Sequence, residues 1–180
     1  LIRLASESEL RPYHTFYALG SLTIKGGGTL QVALTAGGGG KVAPKYGISV
    51  ENGSLTILDT DVTFVESSIP SYPGYADQEH GVSVPHGSLT VSGGSLEINA
   101  QCTRIVYVPS GAVTVQNGGS LHLEYSDPVY YTRGSYGPAI YASTLRILSG
   151  GSVLCEGWPD GRLDGGDHEH EETGIDVTTK

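Results

Sequence analysis

One short phrase recurs along this chain and limits what it can fold into. In register the copies read YALGSLTIKGGGTLQV (17–32), GISVENGSLTILDTDVTF (47–64), GVSVPHGSLTVSGGSLEI (81–98), IVYVPSGAVTVQNGGSLHL (105–123) and AIYASTLRILSGGSVLC (139–155). Each copy holds three short apolar alternations separated by Gly or Ser turns, and alternation with period two is the signature of a strand with one buried face. In the second strand the apolar pairs are Leu22/Ile24, Leu55/Ile57, Leu89/Val91, Val113/Val115 and Leu145/Ile147, with Thr23, Thr56, Thr90, Thr114 and Arg146 between them. In the third strand they are Leu30/Val32, Val62/Phe64, Leu96/Ile98, Leu121/Leu123 and Val153/Cys155.

Equivalent second-strand residues recur after 33 residues (22 to 55), 34 (55 to 89), 24 (89 to 113) and 32 (113 to 145). Self-similarity at such periods marks a solenoid. One coil cannot bury its own apolar face. Coils stacked about 4.8 Å apart align Leu over Leu and pair each backbone with the coils above and below. The expectation is an all-β chain folded as a right-handed, single-stranded parallel β-helix of about five coils, with the hand taken from the crossover rule. A β-sandwich is the alternative, and it requires antiparallel hairpins, with which the Asn-Gly turns of ENGSL (51–55) and QNGGSL (116–121) are compatible. Residues 1–15 are read as an N-terminal cap or linker, 16–157 as the β-helix, and 158–180 as an acidic tail or linker towards a following domain.

Composition narrows the partners. The net charge is −9 with only 10 Lys and Arg, so there is no basic patch of the kind phosphate binding requires. No apolar run reaches the roughly 18 residues of a membrane span. Met is absent, as in a processed chain or an excised piece of a larger one. The two cysteines, Cys102 and Cys155, are too few for a disulfide framework. Cys155 stands in an apolar strand phrase that suits a buried free thiol, and a bridge between the two remains open.

The copies differ most at the corner between the third strand and the next first strand. There the chain has only NAQCTR (99–104) in one copy, but ALTAGGGGKVAPKY (33–46), VESSIPSYPGYADQEH (65–80) and EYSDPVYYTRGSYGP (124–138) in others. Aligned corners bring these loops to one edge. Aromatic rings there can stack on the apolar faces of sugar rings while carboxylates and amides hold hydroxyls. The candidate carbohydrate-binding residues are Tyr72, Tyr75, Asp77, Tyr130, Tyr131, Arg133, Tyr136 and Trp158. The alternative is that these rings pack the loops onto the solenoid.

Catalytic readings are weaker. Asp59 and Asp61 in LDTD and the EHG of 79–81 faintly resemble motifs of polygalacturonase-type hydrolases, but a second carboxyl across the scissile bond is not in evidence. A polysaccharide lyase needs a placed base, for which Arg104 and Arg133 are the candidates. Calcium is the metal to consider in the acidic loops, with no ligand set assigned. His168 and His170 in DGGDHEHEE (164–172) would need a third ligand to hold a transition metal. The threonine row raises ice binding, which requires paired rows, and Arg146 interrupts this one. β-Branched preference for strands explains the row without it.

ALGSLTIKGGGTLQV, YGISVENGSLTI and HGVSVPHGSLTVSGGSLEI resemble the repeats of carbohydrate-binding β-helix modules of Gram-positive bacterial surface proteins, a group similar to a pectin-binding β-helix family related to calcium-dependent polysaccharide lyases. The resemblance covers roughly 16–157. It implies a non-catalytic module, secreted or at the cell surface, that binds polysaccharide or host glycan beside flanking domains of a larger protein. TGIDVTTK (173–180) looks like the lead-in to a bacterial immunoglobulin-like domain. A structural spacer that binds no sugar, and an enzyme of the lyase or hydrolase type, are the other function classes.

Overall fold

The computed structural model describes residues 3–4, 14–34, 46–66, 80–99, 104–124, 138–156 and 175–177. Every element among them is a β-strand, and among the described residues no helix is long and apolar enough to cross a membrane. The strands are β1 (Arg3–Leu4), β2 (His14–Ala18), β3 (Leu22–Lys25), β4 (Thr29–Leu34), β5 (Tyr46–Val50), β6 (Leu55–Leu58), β7 (Asp61–Glu66), β8 (His80–Ser83), β9 (Leu89–Ser92), β10 (Ser95–Asn99), β11 (Arg104–Gln116), β12 (Ser120–Glu124), β13 (Ile140–Ile147), β14 (Ser152–Glu156) and β15 (Ile175–Val177).

Pairing is parallel throughout, except where β1 runs antiparallel on the outer edge of β2. This removes the sandwich alternative, which needs hairpins, and establishes a parallel β-solenoid. The first face stacks β2, β5, β8, the first part of β11, the first part of β13, and β15. The second face stacks β3, β6, β9 and the later parts of β11 and β13. The third face is the five-stranded sheet of β4, β7, β10, β12 and β14. β11 and β13 pass the first corner without a break, which joins the first two faces into one ten-stranded sheet. Their register shifts between Val108 and Ala112, because β13 crosses that corner with two fewer residues.

The interior rows follow the sequence alternation residue by residue. Leu22, Leu55, Leu89, Val113 and Leu145 lie in one register column, and Leu30, Val62, Leu96, Leu121 and Val153 in another. In the middle of the stack Leu55, Ile57, Leu89, Val91, Leu96, Ile98, Val113 and Val115 are fully buried. Each such side chain contributes about 1.5–3 kcal/mol relative to exposure.

Two corner devices let the rungs lie this close. At the first-to-second corner a Cβ on Gly87 would sit 1.9 Å from the Gly53 carbonyl oxygen, and one on Gly111 would sit 1.9 Å from the Gly87 carbonyl oxygen. Next to this glycine column the serine hydroxyls bridge rungs. Ser21 Oγ accepts the Ser54 N–H at 3.2 Å, Ser54 Oγ the Ser88 N–H at 3.1 Å, and Ser88 Oγ the Ala112 N–H at 3.2 Å. The GS of the repeated GSL phrase therefore serves backbone packing. At the second-to-third corner the chain passes through a left-handed conformation at Gly27 (φ 66°), Gly93 (71°), Gly118 (76°) and Gly150 (74°), and Asp59 (48°) fills that place in the second copy. Asp is one of the few side chains tolerated there.

Candidate functional site

The outward surfaces of the three faces differ in chemistry. The second face presents Thr23, Thr56, Thr90 and Thr114 in one register column, closed by Arg146. The third face presents Gln31, Thr63, Glu97, His122 and Leu154. Its side chains bridge rungs: Ser95 Oγ donates to Asp61 Oδ1 at 2.7 Å, Asn99 Nδ2 to Glu124 Oε2 at 2.8 Å, and His122 Nε2 lies 3.0 Å from Glu156 Oε2. The last two contacts offset the repulsion between Glu124 and Glu156, which are direct register partners.

The first face is the aromatic one. Tyr46, His80 and Arg104 are register partners at the starts of β5, β8 and β11. Three residues further along, Tyr17, Ser49, Ser83, Tyr107 and Tyr141 form the next outward column. The rings make a continuous run. Tyr46 and His80 are tilted by 58° with centroids 5.6 Å apart, His80 stacks on Tyr107 at 4.4 Å and 19°, and Tyr107 stacks on Tyr141 at 5.5 Å and 18°. The Arg104 guanidinium carbon lies 5.5 Å from the Tyr107 centroid and 5.2 Å from that of Tyr141, within range for a cation–π contact. Its Nε is buried and has no hydrogen-bond partner among the described residues. At the other end of the column the Tyr17 hydroxyl donates to the Glu51 carboxylate.

This cluster sits where the long loops attach. The intervals 35–45, 67–79, 100–103 and 125–137 each join the end of a third-face strand to the start of a first-face strand. Because the faces are parallel ladders, the strand ends that bound these intervals stack along one edge of the solenoid. The expected binding residues Tyr72, Tyr75, Asp77, Tyr130, Tyr131, Arg133, Tyr136 and Trp158 lie outside the described residues, as do Cys102, His168 and His170. What the structure supplies is the framework beside the loops: a half-buried guanidinium laid against two tyrosine rings. Arg104 was visible in the sequence only as a candidate base. Tyr46, His80, Tyr107 and Tyr141 were missed there because each looks like an isolated first-strand residue. Aligning YGISV (46–50), HGVSV (80–84), RIVYV (104–108) and PAIYA (138–142) places them in adjacent outward positions, which was the available signal.

The other candidates acquire structural roles. Asp59 is a corner residue with positive φ, so it and Asp61 do not belong to one extended stretch facing one side. The Asp61 carboxylate already accepts the Ser95 hydroxyl. Among the described residues no group of three or more His, Cys, Asp or Glu side chains is placed to hold a metal ion. Cys155 is a free thiol, half-buried in the interior, and burial pushes its pKa up. Comparison with protein-family models, with curated proteins and with solved structures finds no match.

Proposed function

We propose that this chain is a non-catalytic carbohydrate-binding or adhesion module of a bacterial secreted or cell-surface protein, of the Gram-positive kind its repeats resemble. Its architecture in this reading is a right-handed β-helix of about five coils. The partner is a polysaccharide or host glycan, engaged at the loop-bearing edge, with neighbouring domains of a larger protein on either side. The observation that carries the reading is the run of Tyr46, His80, Tyr107 and Tyr141 with Arg104 at that edge. Nothing in the stacking of the solenoid requires rings at these positions, since Ser49 and Ser83 occupy the same column. Phenol hydroxyls and a guanidinium are donors suited to sugar hydroxyls, and the sequence of the segments 67–79, 125–137 and 157–174 is rich in Tyr, Trp and Asp. Calcium is the ion to test, because those segments also carry carboxylates.

Affinity electrophoresis through gels containing plant polysaccharides or mucin, with calcium or with chelator, tests the reading. The expected outcome is retardation by one polymer. Arg104→Ala and Tyr141→Ala are expected to weaken retention about tenfold, a loss of some 1.4 kcal/mol, while leaving the thermal midpoint within about 2 °C. Retention that both variants leave unchanged would move the binding surface elsewhere. No retardation of the parent protein in any gel would favour a stiff spacer. One observation favours that second reading: the rings stack on one another, so their faces are partly occupied.

A further inference from the structure

The sequence holds two Asn-Gly dipeptides, and both stand at corners of the solenoid. Asn52–Gly53 lies between β5 and β6, and Asn117–Gly118 between β11 and β12. The glycine of the first pair is fixed by rung packing, while the position before it is not: Asn52, His86 and Ser110 occupy it in successive copies. An Asn followed by Gly can react within itself. The backbone nitrogen of the second residue attacks the side-chain carbonyl carbon of the first, and glycine, with no Cβ, obstructs that approach least. Both asparagines are exposed, and Gly118 is more exposed than Gly53. Exposure alone would make the second pair the more reactive.

Hydrogen bonding ranks them the other way. In the second pair both reacting groups are held. The Gly118 N–H donates to the Ser149 carbonyl at 3.1 Å, and the Asn117 side-chain amide donates to Ser92 Oγ at 2.8 Å. Each bond has to break before a ring can close. In the first pair the bonds fall on either side of the reacting groups. Asn52 donates its own backbone N–H to the Leu19 carbonyl at 2.9 Å, and the Ser54 N–H donates to Ser21 Oγ at 3.2 Å. Among the described residues nothing accepts the Gly53 N–H and nothing holds the Asn52 side chain.

We infer that Asn52 is a site of spontaneous deamidation, and that Asn117, in the same dipeptide, is protected by its bonds to neighbouring rungs. The Gly53 nitrogen gives up its proton to base and forms a bond to Asn52 Cγ. The Cγ–Nδ2 bond breaks, ammonia leaves and a five-membered imide remains. Water then opens the imide at either carbonyl, to aspartate or to isoaspartate, with no oxidant or reductant. In the isoaspartate the main chain runs through Cβ and is one atom longer. That atom falls between the bonds to Leu19 and Ser21, in a corner where the Gly53 carbonyl already leaves no room for a Cβ on Gly87. The isoaspartyl form therefore loosens the corner, whereas the aspartyl form only adds a charge beside Glu51.

The intact chain is incubated in mildly alkaline buffer, folded or in denaturant, and conversion at each asparagine is followed by peptide mass mapping with separation of the isoaspartyl forms. Folded, Asn52 is expected to convert about tenfold faster than Asn117, equivalent to about 1.4 kcal/mol on the barrier. In denaturant the two rates are expected to converge. Ser92→Ala is expected to speed conversion at Asn117 and leave Asn52 unchanged. After incubation the parent chain is expected to melt below an Asn52→Gln chain treated alongside it. Equal rates in the folded chain, faster conversion at Asn117, or no conversion at Asn52 while the denatured chain converts would overturn the assignment. A gap that persists in denaturant would place its cause in the flanking sequence and overturn the protective role of the rung bonds.

Discussion

The corner between the first and second faces and the outward edge of the first face are built from the same number of rungs, yet they answer to different demands. At the corner Gly53, Gly87 and Gly111 repeat because each would otherwise collide with the backbone of the rung below, and Ser21, Ser54 and Ser88 repeat because each accepts a backbone N–H from the rung above. At the edge the column runs Tyr17, Ser49, Ser83, Tyr107, Tyr141, and its neighbour Tyr46, His80, Arg104. A position that repeats across rungs is serving the stack. A position that changes from rung to rung is one the stack does not specify, and chemistry can be placed there at little cost to the fold.

That contrast can be broken most forcefully at the corner. Gly111→Ala drives a Cβ into the Gly87 carbonyl, which belongs to the backbone of the next rung and has little freedom to yield. The expected loss is about 3 kcal/mol, read from denaturant unfolding followed by circular dichroism. A loss below about 1 kcal/mol would mean that the rungs are spaced more loosely than the ladder indicates. Ser88→Ala removes one rung-bridging acceptor and is expected to cost about 1 kcal/mol. Arg104→Ala at the edge should, by contrast, spare stability while weakening glycan retention.

The smallest effect separates the sealed interior from the rung of β13 and β14. Cys155 continues the column of Val32, Phe64, Ile98 and Leu123, all buried, yet is itself only half-covered. Burial raises its pKa because the thiolate is disfavoured away from water. The fold therefore favours the protonated thiol: this contribution is complete below the ordinary thiol range and is lost as pH rises through the raised value. In a Cys102→Ser protein, alkylation of Cys155 near pH 8.5 (an ordinary thiol pKa) is expected to run several-fold slower when folded than in denaturant. Equal rates would mean that this interior position is open to water.

The interior was legible in the sequence because period two survives in every copy. Leu22, Leu55, Leu89, Val113 and Leu145 were aligned by the phrase alone and fall in one register column. Asp59 was misleading because a corner that accepts a left-handed residue can take Asp where other copies use Gly, which mimics a carboxylate motif. The aromatic run was harder to see, because its members change type from rung to rung (Tyr46, His80, Arg104; Ser83, Tyr107, Tyr141) and line up only once the copies are set in register. β15 was not announced by the sequence, because three residues carry too little pattern beside an acidic, His-rich stretch.

The backbone hydrogen bonds between rungs, such as Leu22 N–H to Ser54 carbonyl and Leu55 N–H to Ser88 carbonyl, all point along the axis of the stack. Tension applied from one end to the other loads these bonds in series rather than shearing them side by side. The rungs would then peel one at a time, each surrendering its own length of chain. For a repeat of 33 residues (22 to 55) that slack is on the order of 110 Å at about 3.4 Å per residue. A tether built this way lengthens in steps and yields at low force, instead of holding rigidly until it fails at once.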